Sequence, residues 1–373
     1  MEELKRELEK LSKTYVDTPE KEEKILIPFI KRLLELSVKE RRKLLPTIRE
    51  LQWIKGKFSE TFCDHHRARF LGAVQFVCGN KREMDLGYHI NFNLLCKLLS
   101  LYTPSWLAEY INDAESYLNF NISYEQLMQL IDMGYMQELS PKRIAQILPG
   151  YICIRSSLPK GKDTFNSDLL LKREITLKEH IWYLFEQESS IGYHNDRAQT
   201  AYKEGTTSRD ESFSAAFYRF SLDGHLDRNQ LLRATLSTFN RSFKKDMVNW
   251  FAGLFEELQP RAEELISLQE EIMQVFTSPY TKPVNVMLQQ LKKIASEGGF
   301  HYQEFIERAT TLFFSSPKNS LLTIYSIFEQ IVTGHPEMKE ACCIPLCQLF
   351  LKKDESLQKK AASLKMFLLL GFF

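Results

Sequence analysis

Apolar side chains recur along this chain at spacings of three and four, the interval at which residues share one face of an α-helix. Segments that alternate with period two are scarce, and Tyr151 to Ile154 is the best short candidate for a strand. The 15 Gly and 13 Pro are sparse and fall between the periodic segments, where they punctuate them. Helix-start signals recur too. Ser37 with Glu40 and Thr176 with Glu179 read as capping boxes, in which each side chain satisfies the other residue's backbone N–H. Thr103-Pro104 and Ser140-Pro141 place a hydroxyl cap before a proline at the first helical position. The pattern predicts an all-α fold.

The helices also repeat. LSVKERRKLLP at 36–46 and LSPKRIAQILP at 139–149 share Leu, Ser, Lys, an apolar pair and Pro in register, a hint of duplicated helical units. The C-terminal third is more regular. Breaks fall at Ser278-Pro279, Ser316-Pro317 and Lys353-Asp354, and Ser278 to Ser316 and Ser316 to Asp354 each span 38 positions. Amphipathic segments precede the breaks, with Leu265, Leu268, Ile272 and Phe276 before the first, Phe305, Ala309, Leu312 and Phe313 before the second, and Ala341, Pro345 and Leu349 before the third. Others follow them, carrying Val284, Met287, Leu288 and Leu291, then Leu321, Ile324, Tyr325 and Phe328, then Leu357, Ala361 and Leu364. Helix, tight turn, helix at one period predicts a solenoid, because each pair has an apolar face that only its neighbours can cover.

The segment DESLQKKAASL at 354–364, with an acidic cap, a basic pair and small residues on the inner helix, resembles a HEAT repeat. Together with the two Ser-Pro units, residues 262–373 resemble two and a half HEAT-type repeats. The units at 278 and 316 lack the Asp and Arg usual at that family's turn and inner helix, so their equivalence rests on spacing. Over its full length the chain is similar to a family of bacterial helical-repeat proteins without an assigned activity. The resemblance implies an α-solenoid of antiparallel helix pairs, regular after about residue 227 and irregular in the N-terminal half. The polar stretch NDRAQTAYKEGTTSRDES at 195–212 reads as a connection, dividing an N-terminal helical domain (1–194) from a HEAT-like domain (213–373).

Composition narrows the function classes. Of 373 residues, 44% are hydrophobic and 26 are Phe, ample for a packed core and unlike a disordered chain. The 49 basic and 48 acidic side chains leave a formal charge of +1, whereas a dedicated nucleic-acid binder carries a basic excess to neutralise phosphate. The start, MEELKRELEK, is charged and helical in pattern, unlike a secretory leader. No apolar run approaches the roughly 18 residues that a membrane span requires. Seven Cys without an export signal are expected as reduced thiols. The expectation is a cytoplasmic protein with no membrane association.

Candidate chemistry is thin. In TFCDHHRARF at 61–70, Cys63 and His66 share a helical face, but zinc needs three or four converging ligands and Arg67 repels a cation. No CxxC or HxxxH occurs, and no metal or cofactor is expected. Cys342, Cys343 and Cys347 sit in an apolar helix and read as core. LPKGKDT at 158–164 lacks the first glycine of a phosphate loop, Ser156 standing in its place. No GxSxG or HExxH motif is present, and no catalytic residue is assigned.

FNRSFKKDMVNWFAGLF at 239–255 is the richest run. Phe239, Phe243, Met247, Trp250 and Phe251 form one stripe, with Arg241, Lys244 and Lys245 off it. Such a stripe is either core with its cations in water or a surface that stacks on bases. Arg241, Lys244, Lys245, Asp246 and Trp250 are therefore the candidate binding residues. The leading expectation is a non-enzymatic scaffold that presents a concave helical surface to a protein partner. The alternative comes from the resemblance: some HEAT-type proteins are DNA glycosylases that remove alkylated bases, and Asp246 would supply their carboxylate. The tail SLKMFLLLGFF is expected to be covered, by folding back or by self-association, since seven apolar residues and a glycine follow Lys365.

Overall fold

The spacing of three and four becomes helix almost everywhere in a computed structural model, which describes residues 1–14, 18–55, 60–62, 65–84, 90–113, 122–156 and 161–370. The fold is all-α. Its only strands among the described residues are two short antiparallel hairpins, β1 (Trp53–Lys55) with β2 (Glu60–Phe62) and β3 (Cys153–Ile154) with β4 (Thr164–Phe165). Contacts divide the chain into two compact units, Met1–Tyr151 and Ile152–Phe373.

The first unit contains α1 (Glu2–Ser12), α2 (Pro19–Leu34), α3 (Val38–Arg41), α4 (Leu45–Leu51), α5 (His65–Cys78), α6 (Phe92–Leu101), α7 (Leu107–Asn112), α8 (Tyr124–Asp132) and α9 (Pro141–Tyr151). Its centre is α5, buried at every position from Phe70 to Cys78, as a helix apolar on all sides must be. Phe70 meets Phe29 of α2 at 6.0 Å between ring centroids. The one amide in that buried stretch, Gln75, is satisfied: its Oε1 accepts from Gln52 Nε2 at 2.9 Å and its Nε2 donates to the Glu83 carbonyl. Two of the sequence caps act as such. Ser37 and Glu40 form the capping box of α3, and Ser140 Oγ accepts from Arg143 N at 3.2 Å at the start of α9. Thr103 instead donates back to the Leu99 carbonyl, and Thr176 lies buried within a short helix.

The second unit contains α10 (Glu174–Lys178), α11 (Tyr183–Glu186), α12 (Ile191–Lys203), α13 (Phe213–Leu222), α14 (Arg228–Ser237), α15 (Lys245–Glu257), α16 (Ala262–Gln274), α17 (Thr281–Ile294), α18 (Tyr302–Ser315), α19 (Lys318–Gly334), α20 (Lys339–Leu346) and α21 (Glu355–Leu370). The expected connection at 195–212 is corrected here. Its first half is α12, which packs against α13 and α15 and buries Asn195, Ala198 and Ala201. Small residues suffice to seat a helix at close range, and Asn195 Oδ1 is satisfied by the backbone N–H of Ser214 at 3.0 Å. The division between units falls at 151/152 and not near residue 200.

In the C-terminal third the breaks at Ser278, Ser316 and Asp354 each separate two helices, as the sequence predicts. The apolar positions named around the first two breaks are all buried, as are Pro345, Leu349, Leu357 and Ala361 around the third; Ala341 is half-buried. Helix α17 packs against α15, α16 and α19, so it meets both its sequence neighbour and the helices two places away. Gln289 Nε2 of α17 donates to Thr323 Oγ1 of α19 at 2.9 Å. The side chain of Leu364 and those of the apolar tail lie outside the described residues. Among the described residues, no helix is long and apolar enough to cross a membrane.

Candidate functional site

The aromatic stripe is core. Phe239, Phe243, Met247 and Phe251 are buried, and Phe251 sits between Phe185 at 5.2 Å and Phe243 at 6.5 Å between centroids. Trp250 is half-buried, edge-on to Phe251 at 4.9 Å and covered by α12. Gly192 of α12 lies against the indole, where a Cβ would make an ordinary contact 3.4 Å from Trp250 Cγ. The polar candidates lie outside the core. Lys244 precedes α15, its N–H donating to Glu188 Oε1 at 3.1 Å and its ammonium 3.5 Å from Glu188 Oε2. Lys245 and Asp246 are exposed in the first turn of α15. Arg241 lines a different hollow of about 500 Å³, beside Trp182, Asp227 and Arg233. No exposed ring is left among Phe239, Phe243 and Phe251 on which a base could stack.

A larger groove, of about 600 Å³, opens where α12, α13 and the end of α15 meet. Tyr202 and Leu222, 47% and 61% exposed, give it apolar surface. Lys203, Arg209 and Arg219 face it with Asp210, Asp223 and Glu257, so its charges balance. These cations lie in or beside the stretch read as a connection, which is why sequence reasoning missed them. The available signal was the helical spacing of Ile191, Asn195, Ala198 and Ala201, weak because two of the four are alanine.

The groove is rigidly framed. Arg219 donates to Ser167 Oγ at 2.9 Å and to Asp168 Oδ1 at 2.8 Å, with its guanidinium 4.8 Å above the Phe220 ring. At the other lip, Gln259 takes a left-handed backbone (φ 48°) just past α15. Arg228 holds that turn, donating to the carbonyls of Leu258 at 2.8 Å and Gln259 at 3.3 Å while its Nε reaches Glu264 Oε1 at 2.6 Å. Burial alone would raise the Glu264 carboxyl, but the Arg228 side chain and the backbone and side chain of Arg261 hold it down at about 2. The network is structural: Glu264 stays ionised and every strong donor near it is committed.

Several thiols and one imidazole among the described residues are shifted by burial. Burial pushes the Cys78 and Cys342 thiols up to about 12, as expected of cysteines that serve as small hydrophobes. Cys153 lies 3.8 Å from Asp163 Oδ2, but burial raises its thiol, and Asp163 is held low by the Ser156 N–H and by Arg197. His194 is lowered to about 4 by burial and by Arg197 and Arg155, and so is neutral at physiological pH. Cys63 and Asp64 of TFCDHHRARF, and the side chains of His65 and His66, lie outside the described residues.

The sequence profile of a family described as a domain of unknown function (DUF6493) matches residues 2–319. No curated protein matches the chain.

Proposed function

The chain belongs to the DUF6493 family, which spans most of its length, and on that premise we propose a non-enzymatic scaffold that binds a protein partner through the groove of α12, α13 and α15. The observation that carries this reading is the composition of the groove: exposed Tyr202 and Leu222 ringed by three cations and three anions. An apolar anchor within a balanced polar rim suits a polypeptide segment of mixed charge, with the aromatic and leucine surface supplying the desolvated centre. Balanced charge is poor for phosphate, which favours one sign. The glycosylase alternative loses its stacking platform, because the phenylalanines beside Lys244 and Lys245 are inside. The HEAT-like reading belongs to the same proposal. Contact of α17 with α15 and α19 as well as with α16 is what stacked helix pairs produce.

Site-specific photocrosslinking in the native cell tests it, with a photoreactive residue at Leu222 and a control at exposed Ile344. A discrete adduct from position 222, weakened by Arg219→Glu and absent from position 344, is expected. No adduct from 222, or one indifferent to Arg219→Glu, would refute the groove as the binding surface.

A further inference from the structure

Away from the groove, one cluster unites three potential metal ligands from α16, α18 and the turn that leads into α18. His301 Nδ1 stands 3.8 Å from Glu270 Oε1 of α16 and 3.7 Å from Glu304 Oε2 of α18, and the three ligand atoms all lie within 4.8 Å of one another. These gaps exceed a hydrogen bond. They approach the separation of ligands on a shared ion: two atoms each about 2.0–2.1 Å from a tetrahedral zinc are about 3.4 Å apart. Without a cation, two carboxylates would converge on one imidazole nitrogen.

The supporting groups fix the ligands in place. Arg308 Nε donates to Glu304 Oε1 at 2.7 Å, occupying one carboxylate oxygen while the other faces His301. Gln269, buried beside Glu270, accepts from the His301 N–H at 2.7 Å and donates to the Gly299 carbonyl at 2.9 Å, tying the turn to α16. Outer groups that orient ligands in this way commonly accompany metal sites.

We propose that Glu270, His301 and Glu304 bind one zinc ion, with a fourth, outward position left to water or to a donor from another molecule. One imidazole with two carboxylates is a mixed nitrogen and oxygen set that suits zinc; calcium takes six to eight oxygens. The site bridges α16 and α18 and is separate from the groove, so it stands or falls independently of the scaffold reading. It departs from the sequence expectation of no metal, which weighed only residues close together in the chain, whereas Glu270 and His301 are 31 positions apart.

The test is calorimetric titration of zinc chloride into chelator-stripped full-length protein. One zinc per chain is expected. His301→Asn and Glu270→Gln should each weaken binding at least about tenfold, and cobalt(II) should give visible ligand-field bands that His301→Asn abolishes. All three side chains are at least partly exposed, so circular dichroism and melting of the metal-free variants should match the parent. Absence of zinc binding, or binding retained in both variants because cysteines elsewhere take the metal, overturns the proposal.

Discussion

Replacing Arg228 with methionine is expected to cost the Ile152–Phe373 unit about 3 kcal/mol and to flatten its response to acid. The side chain of Arg228 is 16% exposed and that of Glu264 13%, so water screens the pair only partly. Holding the Glu264 carboxyl at about 2, against an ordinary 4.5, corresponds to about 3 kcal/mol at neutral pH; Arg261 shares that effect and water screens the pair, so the part lost with Arg228 is about 2 kcal/mol. Losing Arg228 also strips donors from the carbonyls of Leu258 and Gln259, about 1 kcal/mol more. The total meets the lower end of what breaking a buried pair costs, about 3–5 kcal/mol. The sign with pH follows from the lowered carboxyl. The stabilisation is present in full above 4.5 and is lost as pH falls from 4.5 toward 2. Urea unfolding at pH 6 and pH 3, with hydrogen exchange of peptides spanning 262–274 to localise the effect, measures both quantities. Glu264→Gln should cost about 2 kcal/mol at pH 6 and distinctly less at pH 3. An Arg228→Met variant within 0.5 kcal/mol of the parent, or a Glu264→Gln deficit equal at the two pH values, would refute the reasoning.

Two further outcomes follow from the packing. Phe251→Ala, at a fully buried ring between Phe185 and Phe243, is expected to cost about 3–5 kcal/mol, while Lys245→Ala on the exposed side of the same helix stays within about 0.5 kcal/mol; equal costs in thermal or urea unfolding would put the stripe on the surface. Gln259→Gly should stabilise by about 1 kcal/mol, because glycine accepts the left-handed turn after α15 without the clash a Cβ brings; a lower melting temperature would mean that the Gln259 side chain secures the turn by a contact of its own.

Local periodicity determined much of this protein by sequence alone. The all-α class and the breaks at Ser278, Ser316 and Asp354 were legible, and Phe239, Phe243, Met247 and Phe251 were legible as one stripe, although its burial was decided only by the structure. Each depends on residues three or four positions apart, and a helix fixes which of its faces is apolar whatever it later meets. The same logic misread α12, where Ala198 and Ala201 give a faint apolar signal and Asn195 is buried only because Ser214 satisfies it. Convergence of distant residues was decided by tertiary structure. Arg228 reaches Glu264 across 36 positions, Glu270 meets His301 across 31, and the groove gathers Tyr202, Leu222 and Gln259 from separate elements. Periodicity states that a face must be buried and not against what; the partner is selected when turns such as the one at Gln259 set the angle between helices and packing brings one particular pair of side chains within reach.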